Sequence, residues 1–287
     1  MLTAIATSIG LLLSACVSTP PEPAAPVLSA VVEGTGNPTV VFIHGNGNAT
    51  SGDWQSIAPQ VAEMGVRTMV YDRAGHGESA LFPTPYRLKN EAAALDATLV
   101  SHGIKGPIVL VAHSYGEAVA QLVAASRPDV VGAVFVDALI PGTLTADVAQ
   151  GQIEEFAPRF DKLRAQAPEL AAAVIPIIEA FPETASTLGK LSCARDLPTI
   201  VVSAEQGNWS RPQDIAHSKA AVSRFVQGSQ WRSEMIATKE WASGHERSAR
   251  CGFGRDQMGY QRIATIARQK RQLAASCRKS YKLAVHV

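Results

Sequence analysis

The chain has 287 residues, 46% of them hydrophobic and 18% charged, which excludes disorder as its main state. Twenty-six Lys and Arg face 25 Asp and Glu, so a net charge of +1 leaves no global field for gripping nucleic acid, and none is expected as a partner. Four cysteines are too few for a disulfide scaffold. No Cys-x-x-Cys or His-x-x-x-His spacing occurs, so neither a structural zinc site nor any other cofactor is expected.

In chain order, Leu2 to Leu13 is an apolar run relieved only by Thr3, Thr7, Ser8 and Gly10. It falls short of the about 20 apolar residues that a membrane-spanning helix needs. Leu13-Ser14-Ala15-Cys16 follows, with the small residues of a signal-peptidase site, although no Lys or Arg precedes the run. The order Leu-Ser-Ala-Cys resembles the lipobox of bacterial lipoproteins. That resemblance implies a signal peptide over 1–16, lipid attachment at Cys16, and a lipid-anchored protein of the bacterial cell envelope. Residues 17–27, which include Thr-Pro-Pro-Glu-Pro-Ala-Ala-Pro, read as a stiff, solvated linker.

Short β-branched runs then alternate with helical stretches. Strands are expected at 27–32, 39–44, 66–71, 108–112 and 130–136, and helices at 54–64, 87–102 and 117–127. Unbroken apolar strands such as Ile108–Ala112 belong in a sheet covered on both faces, so the fold class is α/β with a mostly parallel central sheet. The pattern breaks over 141–195, an Ala-, Glu- and Pro-rich stretch that reads as about three helices forming a cap. Strands resume at 198–204 and 235–238. The core is therefore read as 28–140 with 196–250. The last segment, 251–287, is a basic tail: from Glu246 to Val287 ten Lys and Arg face only Glu246 and Asp256. A solvated helix face near 257–274 is favoured over a lipid-binding segment.

Ala112-His113-Ser114-Tyr115-Gly116 lies between an apolar strand and a helix rich in small residues. A small-x-Ser-x-Gly sequence in that context is a sharp strand-to-helix turn. It holds the serine in strained backbone at a helix N-terminus, where amide groups favour developing negative charge.

With three further segments, the chain resembles the alpha/beta-hydrolase superfamily. Phe42-Ile43-His44-Gly45-Asn46 resembles its His-Gly loop. Tyr71-Asp72-Arg73-Ala74-Gly75-His76-Gly77-Glu78-Ser79 resembles its Asp-x-x-Gly-x-Gly-x-Ser turn, and Ser243-Gly244-His245 its catalytic-histidine loop. The resemblance implies Ser114 as nucleophile and His245 as general base. It also implies an oxyanion hole from the backbone N–H groups of Asn46 and Tyr115. His44 and His113 are assigned to loop geometry, and His76 to solvent or substrate.

The acid is open between two positions. After the strand that follows the cap, where the superfamily's acid usually stands, only Glu205 is available. At the end of the preceding strand stands Asp137, which is preferred for that reason. Glu117, where glycine is common, is read as a carboxylate at the positive end of its helix. A serine at the elbow argues against the dehalogenases and epoxide hydrolases of the superfamily, which use aspartate there. The resemblance thus implies a serine hydrolase acting on a small carboxylic ester or related acyl substrate through an acyl-serine. The alternative is a non-catalytic binding protein on a decayed scaffold. The sequence sets no oligomeric state.

Overall fold

A computed structural model describes residues 25–237, apart from 83–84, 138, 192–196, 206–208 and 210. The leader with Cys16, His245 and the basic tail lie outside the described residues. Seven strands form one sheet in the order β1-β3-β2-β4-β5-β6-β7. They are β1 (Ala30–Glu33), β2 (Thr39–Ile43), β3 (Arg67–Tyr71), β4 (Ile108–His113), β5 (Val130–Val136), β6 (Thr199–Ala204) and β7 (Arg232–Ala237). Among the described strands only the β1–β3 pairing is antiparallel. The mostly parallel sheet expected from the apolar strands is therefore present.

Alternation along the strands divides the core. Val41, Ile43, Ile108, Leu110 and Ala112 pack against α2 (Leu88–Ser101) and α3 (Gly116–Ser126). Val40, Phe42, Val109 and Val111 face Trp54, Ile57, Ala58 and Val61 on the other side. A side chain every second residue on each face, with both faces covered, is why these strands carry no polar alternation.

The helix expected over 54–64 divides into a 3-10 turn, Ser51–Trp54, and a short α1, Ala58–Ala62. Pro59 is the physical reason. It supplies no N–H and its ring crowds the carbonyl four residues back, so it fits a first helical turn but not an interior.

Among the described residues between β5 and β6 there are four α-helices where about three are expected: α4 (Ala146–Phe156), α5 (Phe160–Gln166), α6 (Pro168–Glu179) and α7 (Phe181–Lys190). Pro168 and Pro182 each occupy a first turn and restart the helix there. A further helix not expected from the sequence, α8 (Pro212–Gln227), lies between β6 and β7 and buries Ala221 and Val222. β7 begins at Arg232, three residues before its expected start.

The turn after β3 is tied by Asp72. Its carboxylate accepts from the amides of Ser51 (2.8 Å) and Glu78 (3.0 Å), and its carbonyl from the Ser79 hydroxyl at 2.6 Å. A Cβ on Gly77, at φ 50°, would stand 2.1 Å from that carboxylate. The glycine is what lets the turn close over it.

Candidate active site

Strands β2, β4 and β5 are parallel neighbours, so their carboxyl ends meet at one edge of the sheet, the usual place for a crevice in such folds. β4 ends at His113 and α3 begins at Gly116, leaving Ser114 and Tyr115 to turn the chain. Ser114 has φ 49°, a left-handed conformation that costs a residue with a Cβ about 1–2 kcal/mol. Its amide is held by the Val136 carbonyl at 2.9 Å. The helix starts so close to β2 that a Cβ on Gly116 would lie 2.6 Å from the His44 carbonyl oxygen. Only glycine permits this approach.

Asp137 follows β5 and is also left-handed, at φ 64°. Its amide donates to the Val202 carbonyl at 3.0 Å, and its Oδ2 lies 3.3 Å from Nε2 of the half-exposed His113. Glu205, at the end of β6, bonds through its backbone: its amide reaches Ala237 O at 2.9 Å, and its carbonyl accepts from Lys219 Nζ at 2.8 Å. Ser114, Tyr115, Asn46 and Asp137 line one cavity of about 720 Å³, while Glu205 is not among its described lining residues. The rest of the wall comes largely from the inserted helices and is mainly apolar, with Phe156, Phe160, Leu163, Leu170, Val174 and Ile178 beside the polar Gln152, Arg159, Lys162 and Gln166. A cavity of this kind suits a small molecule with an apolar group.

Behind the cavity lies a buried polar network. Arg73 and Glu91 are fully buried and pair through two parallel bonds of 2.7 Å. Burial acts to lower the Arg73 pKa, but the Glu91 carboxylate outweighs it and keeps the guanidinium charged. Tyr86 donates its hydroxyl to Glu91. Arg73 Nη1 donates to the Gly45 carbonyl at 2.9 Å, and the Arg73 amide donates to His44 Nε2 at 2.9 Å. Since that nitrogen accepts, Nδ1 carries the proton and donates to the Gly45 carbonyl, also at 2.9 Å. Burial, reinforced by Arg73, holds the His44 pKa well below its ordinary value, consistent with this neutral ring.

The sequence-based reading of His44 as a loop residue fits these contacts; that of His76 does not. His76 is only 4% exposed, its Nδ1 is 3.0 Å from the Ala74 carbonyl oxygen, and its ring packs 5.1 Å from that of His44. It is closed to solvent, and it is not among the described residues that line the cavity.

Tyr115 is buried as well. Its hydroxyl bonds Thr184 Oγ1 at 2.9 Å and its ring stacks on Phe181 at 5.8 Å, which links the elbow to α7. Burial pushes the phenol pKa up to about 12. Glu117 stands in the first turn of α3 but reaches sideways, accepting from the Leu139 amide at 2.7 Å with no solvent exposure. Burial raises its pKa well above the ordinary carboxylate range and so favours the protonated form; the carboxyl braces the loop after Asp137 rather than standing as an exposed helix-end charge.

Arg73, Glu91 and Thr184 carried no assigned role in the sequence reading. One signal was present. Glu91 falls on the same helical face as Leu88, Ala92, Leu95 and Leu99, and a carboxylate on an apolar stripe requires a buried partner.

Residues 40–273 match the profile described as the Alpha/beta hydrolase family. A haloalkane dehalogenase of Mesorhizobium japonicum is 36% identical over 135 residues, covering 42% of this chain and 43% of the relative. Lipase LipV of Mycobacterium tuberculosis is 37% identical over 83 residues, covering 29% of this chain and 30% of the relative. The chain thus spans less than half the length of these curated relatives. Among solved structures, an esterase from Exiguobacterium antarcticum superposes with a TM-score of 0.55 at 12% identity, over 84% of this chain and 95% of that one. That likeness is one of fold.

Proposed function

We propose that this chain, which belongs to the alpha/beta hydrolase family, is a serine hydrolase acting on a carboxylic ester or related acyl substrate. The observation that carries the reading is Ser114, held left-handed at a strand-to-helix turn in the wall of an apolar cavity of about 720 Å³. Strain of that kind persists where surrounding structure over-determines it, and functional sites are where it collects.

In this reading the Ser114 oxygen attacks the acyl carbonyl while His245 takes its proton, and Asp137 orients the imidazole. Asn46 and Tyr115 N–H groups receive the oxyanion. Collapse expels the alcohol, which leaves with the proton from the imidazolium, and water then releases the acid by the same route. The apolar wall favours a substrate with an apolar acyl or alcohol group, and no cofactor is called for.

Two named relatives point to different chemistry, halide displacement and lipid ester cleavage. The nucleophile favours the second. A serine oxygen that displaced a halide would be left as an alkyl ether, which water does not readily cleave, whereas an acyl-serine ester hydrolyses.

The test is labelling by a fluorophosphonate probe, followed by turnover of p-nitrophenyl esters from acetate to palmitate. Labelling lost in Ser114→Ala, with ester turnover down more than about a thousandfold, supports the reading. Folded wild-type protein that takes no label favours a non-catalytic binding role. Leu13-Ser14-Ala15-Cys16 supports an envelope location through lipid on Cys16; palmitate-analogue labelling that is equally absent from wild type and Cys16→Ala would remove it.

A further inference from the structure

The Gly45 carbonyl receives two buried donors, Arg73 Nη1 and His44 Nδ1, each at 2.9 Å. That carbonyl shares a planar peptide with the Asn46 amide. In a trans peptide the C=O and N–H point in opposite directions. Fixing the oxygen toward the interior therefore fixes the Asn46 N–H away from Arg73. Asn46 and Ser114 line the same cavity, and a Cβ on Gly45 would stand 3.4 Å from the Ser114 Cβ, so this peptide lies directly against the nucleophile. Arg73 also touches the residue that supplies the other amide: its guanidinium carbon sits 5.0 Å from the centre of the Tyr115 ring.

We infer that Arg73 is a positioning residue for the oxyanion hole, setting the Gly45–Asn46 peptide by hydrogen bonding on one side and backing Tyr115 on the other. The assignment rests on Ser114 being an acylating nucleophile.

Charge alone does not account for the arrangement. Glu91 neutralises Arg73 at 2.7 Å, so the pair presents little net field to the cavity. Direction is what the guanidinium adds. Its planar fork satisfies Glu91 with Nε and Nη2 and still has Nη1 for the Gly45 carbonyl. A lysine cannot make all three bonds in that geometry. Tyr86 donates to the same Glu91 oxygen as Arg73 Nη2 and packs its ring 6.2 Å from that of Tyr115, so it belongs to the same network.

The experiment compares wild type, Arg73→Lys and the charge-neutral double variant Arg73→Gln/Glu91→Gln. Its readouts are p-nitrophenyl butyrate kinetics, the fluorophosphonate labelling rate, and the affinity of a trifluoromethyl ketone, whose serine adduct carries an oxyanion. Loss of one oxyanion donor typically lowers kcat by about a hundredfold or more. The double variant is expected to lose about that factor in kcat with KM within about twofold, and Arg73→Lys about tenfold. Affinity for the ketone is expected to fall in parallel with kcat.

A loss of stability alone would lower the active fraction without changing the ratio of ketone affinity to substrate affinity in the protein that remains. If the double variant does not fold, Arg73→Lys decides, since it keeps a cation against Glu91. A labelled wild type beside variants with undiminished kcat, or with losses confined to KM, overturns the Arg73 assignment alone. A folded wild type that the fluorophosphonate leaves unlabelled overturns the serine-hydrolase reading and the assignment with it.

Discussion

The Ser114 amide donates to the Val136 carbonyl at 2.9 Å, which ties the end of β4 to the residue just before Asp137. Ser114 and Asp137 are the two non-glycine residues with positive φ among the described residues, at 49° and 64°. They close neighbouring parallel strands and line the same cavity. A carboxylate and a hydroxyl 23 positions apart thus occupy equivalent corners of adjacent strands.

That pairing makes Asp137 rather than Glu205 the acid to test. Asp137→Asn is expected to lower kcat for p-nitrophenyl butyrate by about ten-thousandfold, the cost seen when the acid of a triad can no longer hold the base in its tautomer. Glu205→Gln is expected to stay within about twofold of wild type. Steady-state kinetics on the two variants decide the matter, and the reverse pattern would move the acid to Glu205.

Gly116 sets how closely α3 approaches β2. A methyl group there would meet the carbonyl oxygens of His44 at 2.6 Å and Ile43 at 2.9 Å, neither of which can rotate away. Gly116→Ala is expected to destabilise the fold by about 3 kcal/mol or more, in the range of severe overpacking. Urea denaturation measures it; a cost below about 1 kcal/mol would show that the helix can shift without penalty.

Glu117 gives a pH dependence with a definite sign. Burial raises its pKa well above the ordinary 4.5. Between 4.5 and the raised value, the folded protein holds a proton that the unfolded chain has released. This group's contribution is therefore fully present below pH 4.5 and is lost as pH rises through that window. Glutamine keeps the acceptor for the Leu139 amide but does not ionise. Glu117→Gln and wild type are expected to show similar stability near pH 4. Above that the variant should gain by up to about 1.4 kcal/mol per pH unit within the window. Denaturation series from pH 4 to 8 test this, and a difference independent of pH would mean that Glu117 is ionised in the fold.

The apolar wall offers a specificity test distant from the reacting atoms. Leu170 lines the cavity from α6 and is partly exposed, so a larger side chain has room to enter without rebuilding the core. Leu170→Trp is expected to raise KM for p-nitrophenyl octanoate about tenfold, as expected when an apolar pocket loses space for a few methylenes. The acetate ester should be affected about twofold or less. Equal effects on both esters would place the acyl group elsewhere.

Much of this arrangement is written in local sequence. Ala112 to Gly116 announces a strand meeting a helix at a serine, because small residues are needed where two elements approach closely. Ile108 to Ala112 announces a strand buried on both faces, because no polar residue interrupts it. The divided helix near Pro59 and the extra break in the cap are also encoded, in prolines that the surrounding hydrophobic pattern outweighs. What local pattern could not supply is pairing at a distance. Arg73 and Glu91 are 18 residues apart, and nothing in either neighbourhood names the other. Tyr115 and Thr184 are 69 apart. His76 lies in a polar-looking turn, and its burial against the His44 ring is a contact between residues 32 positions apart.

By itself the sequence determined which residues can bend a strand into a helix, which runs can lie inside a sheet, and which hydroxyl stands at the bend, since backbone sterics and side-chain period act over a few residues. Only the tertiary structure decided which carboxylate shares the Ser114 cavity and which buried cation bonds the Gly45 carbonyl. Those choices depend on where separate strand ends meet, and electrostatic partners are selected by proximity in space.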